Sequence, residues 1–224
     1  MNTKFKNWQY WKEEWIKPLV VAVILAVIIR HFVIQPFKIP STSMYPALKV
    51  GDRIFVNKFI YGAKIPFTDK DLPKLRDPKR GDIIVFISVT DGAYPDPENE
   101  YIRILGPVFF NKSTKGIRWY TPRYIVKRLI GLPNDEVRIK GGNIYINDKL
   151  LDDPLIIEKI DYLNAGDYGK AGESITVPPD SYFALGDNSP NSIDSRFWGF
   201  IPDKSIIGKV FVIWWPLNRI RIER

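Results

Sequence analysis

Leu19-Val20-Val21-Ala22-Val23-Ile24-Leu25-Ala26-Val27-Ile28-Ile29 contains no polar side chain, and this run divides the chain in two. Widened to Trp15–Ile34 it becomes a segment of twenty residues. At ~1.5 Å per residue, a helix of that length crosses the ~30 Å hydrocarbon core of a bilayer. Lys17 and Pro18 interrupt it at one end and Arg30 and His31 near the other, at depths from which long charged side chains snorkel to the headgroups. A cleaved signal sequence and a buried core helix have apolar runs of similar length. The following His31-Phe32-Val33-Ile34-Gln35-Pro36-Phe37 offers no small residues where a cleavage site needs them, so residues 15–34 read as a retained transmembrane anchor.

The flanks set its expected direction. Lys4, Lys6, Lys12 and Lys17 stand against Glu13 and Glu14, and the positive-inside rule keeps such a tail, residues 1–14, in the cytoplasm. Residues 35–224 then form an extracytoplasmic domain. Its many charges do not oppose this, because long domains cross largely regardless of charge.

Beyond residue 35 the chain alternates short apolar runs with Gly, Pro, Asn and Asp, a mostly β pattern. The expected strands are Arg53–Val56, Asp82–Ile87, Tyr124–Ile130, Glu136–Ile139, Asn143–Ile146 and Lys209–Trp214. They predict a β-sandwich or barrel-like domain rather than alternating βαβ units. Lys140-Gly141-Gly142-Asn143 predicts a hairpin turn, opening a small inserted β-ribbon lobe over about 138–179. Thr90–Glu100 and Asn111–Gly116 read as exposed loops.

Composition narrows the chemistry. The formal net charge of +8 suits an anionic membrane surface or a nucleic acid and does not choose between them. With no cysteine there are no disulfides and no thiolate metal sites. A single histidine, His31, argues against zinc. It also removes the usual general base from any serine chemistry, because His31 belongs to the apolar segment, and lysine is left for that task.

Ser41 and Ser43 sit between prolines in Ile39-Pro40-Ser41-Thr42-Ser43-Met44-Tyr45-Pro46-Ala47-Leu48, just past the apolar segment. By themselves they equally form a turn with satisfied hydroxyls. In Tyr124–Ile130, strand alternation puts Ile125, Lys127 and Leu129 on one face. A lysine between aliphatic neighbours loses hydration of its charged form, and its pKa falls from ~10.4 toward the ~7 to 8 suited to a general base. A strand lysine that snorkels to solvent shows the same alternation.

A third segment joins these two: Gly186-Asp187-Asn188-Ser189-Pro190-Asn191-Ser192-Ile193-Asp194-Ser195-Arg196-Phe197-Trp198-Gly199-Phe200. With the anchor, Ile39–Pro46 through Gly51-Asp52, Arg80-Gly81-Asp82-Ile83 and Lys127-Arg128-Leu129-Ile130-Gly131-Leu132-Pro133, it occurs in the order found in the bacterial type I signal peptidases, membrane serine proteases, which the chain strongly resembles over most of its length. The resemblance implies Ser43 as nucleophile and Lys127 as its base. It implies Ser41 and the Ser43 N–H as oxyanion donors, Ser192 as the residue orienting the lysine, and Asp194 and Arg196 as a supporting ion pair or a loop-stabilising one. It implies Phe37, Ile39, Pro40, Met44, Leu48, Ile125 and Val126 as walls of shallow pockets for small side chains, or as ordinary core. Ser189-Pro190 departs from the family's frequent Arg-Asp pair.

The partners so implied are secretory preproteins and membrane phospholipids, without nucleic acid and without cofactor, at the bacterial cytoplasmic membrane. Trp198, Phe200, Trp214 and Trp215 are candidates for an interfacial aromatic patch. Two other readings stay open: another Ser-Lys peptidase of related fold, which the anchor disfavours, and a non-catalytic membrane-anchored β-module, which requires no particular residue at 43 or 127.

Overall fold

The computed structural model describes residues 11–65, 68, 70–88, 101–105, 108–111, 115–119, 123–152 and 160–223. Lys4, Lys6 and the whole of the expected Thr90–Glu100 loop lie outside the described residues.

A single helix, α1, runs over Lys12–Val33. Its apolar side chains are not core: Leu19, Val23, Ile24 and Leu25 are each more than half exposed. A helix that is apolar all round and uncovered by protein meets the physical requirement for lipid contact. Ile34 switches to extended backbone and opens the first strand with no intervening loop.

The remainder is mostly β, as expected. Seven strands form the main sheet: β1 (Ile34–Lys38), β2 (Arg53–Asn57), β3 (Ile83–Ile87), β7 (Tyr124–Gly131), β12 (Ser181–Leu185), β13 (Ile201–Pro202) and β14 (Ile206–Trp215). Their order is β1-β2-β14-β3-β7-β12-β13, with a short β15 (Arg221–Ile222) added beside β14, and all pairings are antiparallel. The register shifts within the β14 and β12 pairings are where such a sheet bends and curls.

β3 is buried at all five positions. Ile83 and Val85 face one cluster with Ile54, Val56, Val210, Ile213, Met44 and Leu48; Ile84 and Phe86 face another with Leu129, Ala184, Tyr182 and Ile201. Both faces of the sheet centre are therefore covered. Lys127 pairs with Ile84 across this centre, which is why a lysine there is only 3% exposed.

A separate four-stranded sheet, ordered β10-β9-β8-β11, comprises β8 (Glu136–Lys140), β9 (Asn143–Ile146), β10 (Lys149–Leu150) and β11 (Ser174–Thr176). The expected Gly-Gly hairpin joins β8 to β9: Lys140 pairs with Asn143, and Gly141 and Gly142 take φ of 57° and 78°, the left-handed pair that a two-residue turn needs. The sequence reading contained no strand between residues 101 and 119. The structure has three there, β4 (Tyr101–Leu105), β5 (Val108–Asn111) and β6 (Gly116–Trp119), forming their own sheet. Of the expected Asn111–Gly116 loop, Asn111 ends β5 and pairs with Gly116 of β6, while residues 112–114 lie outside the described residues.

The four aromatics expected as one patch are dispersed. Trp198 meets Phe86 edge-on, Phe200 packs on Phe183 and Tyr168, and Trp214 stacks on Phe55. Among them Trp215 is the exposed one. Each ring follows the face of its own element, and these elements turn to different clusters.

Candidate active site

Leaving β1, the chain makes a compact loop from Ile39 to Asp52. Ile39 N–H donates to Asp52 O, Gly51 N–H to Ile39 O, Tyr45 N–H to Thr42 O and Leu48 N–H to Met44 O. Met44 and Leu48 anchor the loop in the core, so Ser43, one residue before Met44, is turned to the half-exposed side. The Asp52 carboxylate ties the loop's end: it accepts from Lys49 N–H and, through both oxygens, from Arg219. Arg221 donates to Ala47 O at 2.6 Å. The C-terminal residues thus strap the loop from outside.

β7 supplies the second group. Lys127 Nζ lies 2.7 Å from Ser43 Oγ, and Ser41 Oγ is 3.4 Å from the same hydroxyl. Burial pushes the Lys127 ammonium down from the ordinary lysine value to about 8. Asp194 and Asp187 pull against that shift and Arg196 adds to it. About a tenth to a fifth of the amine is then neutral near physiological pH, where an exposed lysine is almost wholly charged.

The segment from Gly186 to Trp198 forms the third side. Asp187 forms a buried, bidentate pair with Arg128, the neighbour of Lys127 on the opposite strand face. Asp194 caps the one-turn helix α2 (Ser195–Trp198), accepts from Gly186 N–H and holds the Arg196 guanidinium through both oxygens. Arg196 is wholly buried and also donates to Leu163 O and to the Ser189 hydroxyl and carbonyl. Ser189 receives Leu163 N–H on that same hydroxyl. A small serine therefore knits this segment to the 160s loop. Ser192 is buried, and its Oγ has no partner among the described residues.

These sides enclose a cleft of ≈ 510 Å³. Ile39, Pro40, Ser41, Ser43, Met44, Ile125, Val126 and Lys127 line it, together with Arg123, Tyr124, Asn191 and Ile193, to which the sequence assigned no role, and Trp198, expected instead in an interfacial aromatic patch. Phe37 and Leu48 stand behind the wall: Phe37 packs edge-on against Tyr124, and Leu48 is fully buried with Ile54 and Val56. Ser192, Asp194 and Arg196 likewise sit behind the lining. Asn188 also went unremarked, although it is bonded to the backbone of both Thr42 and Ser43. No cluster of His, Cys, Asp and Glu suited to a metal ion occurs among the described residues.

A family profile described as "Signal peptidase, peptidase S26" matches residues 12–215. The chain belongs to the signal peptidase I family. It is 38% identical to the probable signal peptidase I-2 of Synechocystis sp., covering 91% of this chain and 73% of that protein. Against signal peptidase I of Pseudomonas aeruginosa the identity is 33%, with 91% and 73% covered. Against signal peptidase I T of Bacillus subtilis it is 33%, with 93% and 88% covered. A signal peptidase I is a serine endopeptidase, and the matched span takes in the apolar helix and the β domain through the end of β14.

Proposed function

We propose that this peptidase removes N-terminal signal peptides from exported preproteins, cutting after Ala-x-Ala-like ends with Ser43 as nucleophile and Lys127 as general base. The reading rests above all on the 2.7 Å approach of Lys127 Nζ to Ser43 Oγ inside an apolar-walled cleft. The neutral amine takes the hydroxyl proton while Oγ bonds to the scissile carbonyl carbon. The ammonium returns that proton to the leaving amine as the C–N bond breaks, leaving an ester on Ser43. The same amine then activates the water that releases the signal peptide as a free carboxylate. Ser41 Oγ and the Ser43 N–H stabilise the oxyanion, each such donor being worth about 3 to 4 kcal/mol. Ser192 orients Lys127, and the Asp194–Arg196 pair holds the segment that carries it.

The substrate binds extended, as a strand added between Ile39–Ser41 and Tyr124–Val126. Ile39, Pro40, Met44, Ile125 and Val126 form shallow walls for small side chains, with Phe37 and Leu48 supporting them from behind. Residues 15–34 anchor the protein in the bacterial cytoplasmic membrane with residues 1–14 inside. Residues 35–224, including the lobe over about 138–179, face outward. Membrane phospholipids are partners of the exposed Trp215, Leu217, Ile220 and Ile222, beside the nucleophile loop that Arg221 ties down.

Incubating the detergent-solubilised protein with a preprotein carrying an Ala-x-Ala site tests the proposal. Cleavage at that bond, abolished by Ser43→Ala, is expected. Absence of cleavage by the folded parent protein would overturn it.

A further inference from the structure

Behind the nucleophile, Asn188 makes two bonds to consecutive peptide units. Its backbone N–H donates to Ser43 O at 3.0 Å, and its side-chain Nδ2 donates to Thr42 O at 3.1 Å. Asn191 Nδ2 donates to Asn188 Oδ1 at 3.3 Å, so the carboxamide has its oxygen and nitrogen assigned by partners on both sides. Asn188 is half-buried and outside the cleft lining.

The second bond carries the consequence. Thr42 C=O and Ser43 N–H belong to one peptide unit, and this unit is trans, since the cis bonds lie at Tyr45-Pro46 and Trp215-Pro216. In a trans peptide, C=O and N–H point in opposite directions in one rigid plane. Fixing the Thr42 carbonyl toward Asn188 therefore fixes the Ser43 N–H toward the opposite, cleft side. Donation into the carbonyl also polarises the amide and strengthens its N–H as a donor. Tyr45 N–H shares the same acceptor at 3.0 Å, but it belongs to the nucleophile's own turn. Asn188 is the tie from that peptide to a different part of the chain.

We infer that Asn188 is a positioning residue of the oxyanion hole, orienting and polarising the Ser43 N–H through the Thr42 carbonyl. The inference rests on the proposed role of Ser43. It predicts an effect confined to steps in which negative charge develops on the substrate oxygen, leaving ground-state binding and the Lys127 titration untouched.

The test compares Asn188→Ala with the parent on a preprotein substrate. It uses a signal-peptide aldehyde as a second probe, whose carbonyl carbon accepts Ser43 Oγ and whose oxygen then occupies the oxyanion position. The expected result is a fall in kcat of about tenfold at unchanged KM, a fraction of the ~10²–10³ that loss of a whole oxyanion donor produces. Aldehyde inhibition should weaken by a similar factor, with the pH midpoint of kcat/KM unmoved. Asn188→Leu keeps the branched shape without the donor and should behave alike. Parent-like kcat, a loss confined to KM, a shifted pH midpoint, or failure of both variants to fold would each overturn the inference. An inactive parent, or a Ser43→Ala variant as active as the parent, would instead remove the proposed function itself.

Discussion

A Cβ built on Gly186 would fall 2.1 Å from Ser192 Oγ and 2.6 Å from the Ser43 carbonyl oxygen. The glycine is thus a spacer between the backbone of the proposed nucleophile and the serine proposed to hold the lysine. Rotation can move the Ser192 hydroxyl, but the Ser192 Cβ, also 2.6 Å away, and the Ser43 carbonyl are fixed by backbone, which must move. Gly186→Ala should therefore leave a folded protein whose kcat falls on the order of 10²-fold, the scale of an ångström-sized misplacement of reacting groups. Kinetics with circular dichroism as the fold control checks this, and parent-like turnover would remove the spacer role.

The pH dependence follows from the lysine. With Lys127 as the proposed base the neutral amine is the active form, so kcat/KM should rise as pH passes upward through about 8 and level off above it. The first cause of that low value is burial, to which fully buried Leu129, on the same strand face, contributes. Leu129→Ser should admit water to the ammonium, raise the pKa and move the rising limb to higher pH. Superimposable profiles of the folded variant and the parent would show that Leu129 does not keep the base dry.

Orientation is testable without any kinetics. On the proposed orientation, with the lysine-rich tail inside, protease added to intact spheroplasts should digest the chain beyond about residue 35 and spare the N-terminal tail. Protection of the large domain until lysis would reverse the topology and separate the cleft from exported substrates.

What could be read from the sequence was largely local. The β8–β9 hairpin was legible because two adjacent glycines specify its turn. The flanking Ile125 and Leu129 left the burial of Lys127 open, since a snorkelling lysine shows the same alternation, and pairing with buried Ile84 decides it. Apolar residues at the centre of a sheet lose that period once both faces are covered, which hid β12 despite its buried Tyr182–Leu185. Pockets were harder still. Leu48 and Ile39 are equally apolar and share one core cluster, yet only Ile39 also lines the cleft, a distinction set by how the loop closes on Asp52. Asn188 reaches Thr42 across 146 positions, and the Arg219–Asp52 tie spans 167. No periodicity encodes such contacts. The Ser189-Pro190 departure became intelligible only when the Ser189 hydroxyl was found between Arg196 and Leu163.

The central claim is that Ser43 and Lys127 act as one unit. Its most direct test is a double-mutant cycle on preprotein cleavage, with Ser43→Ala, Lys127→Ala and the double variant all verified as folded. General-base assistance alone is worth about 10²–10⁴-fold. Each single change should therefore reduce kcat/KM by at least that much, and the double change should be no worse than either single one. A folded Lys127→Ala variant within about tenfold of the parent, or losses that simply multiply in the double variant, would contradict the account.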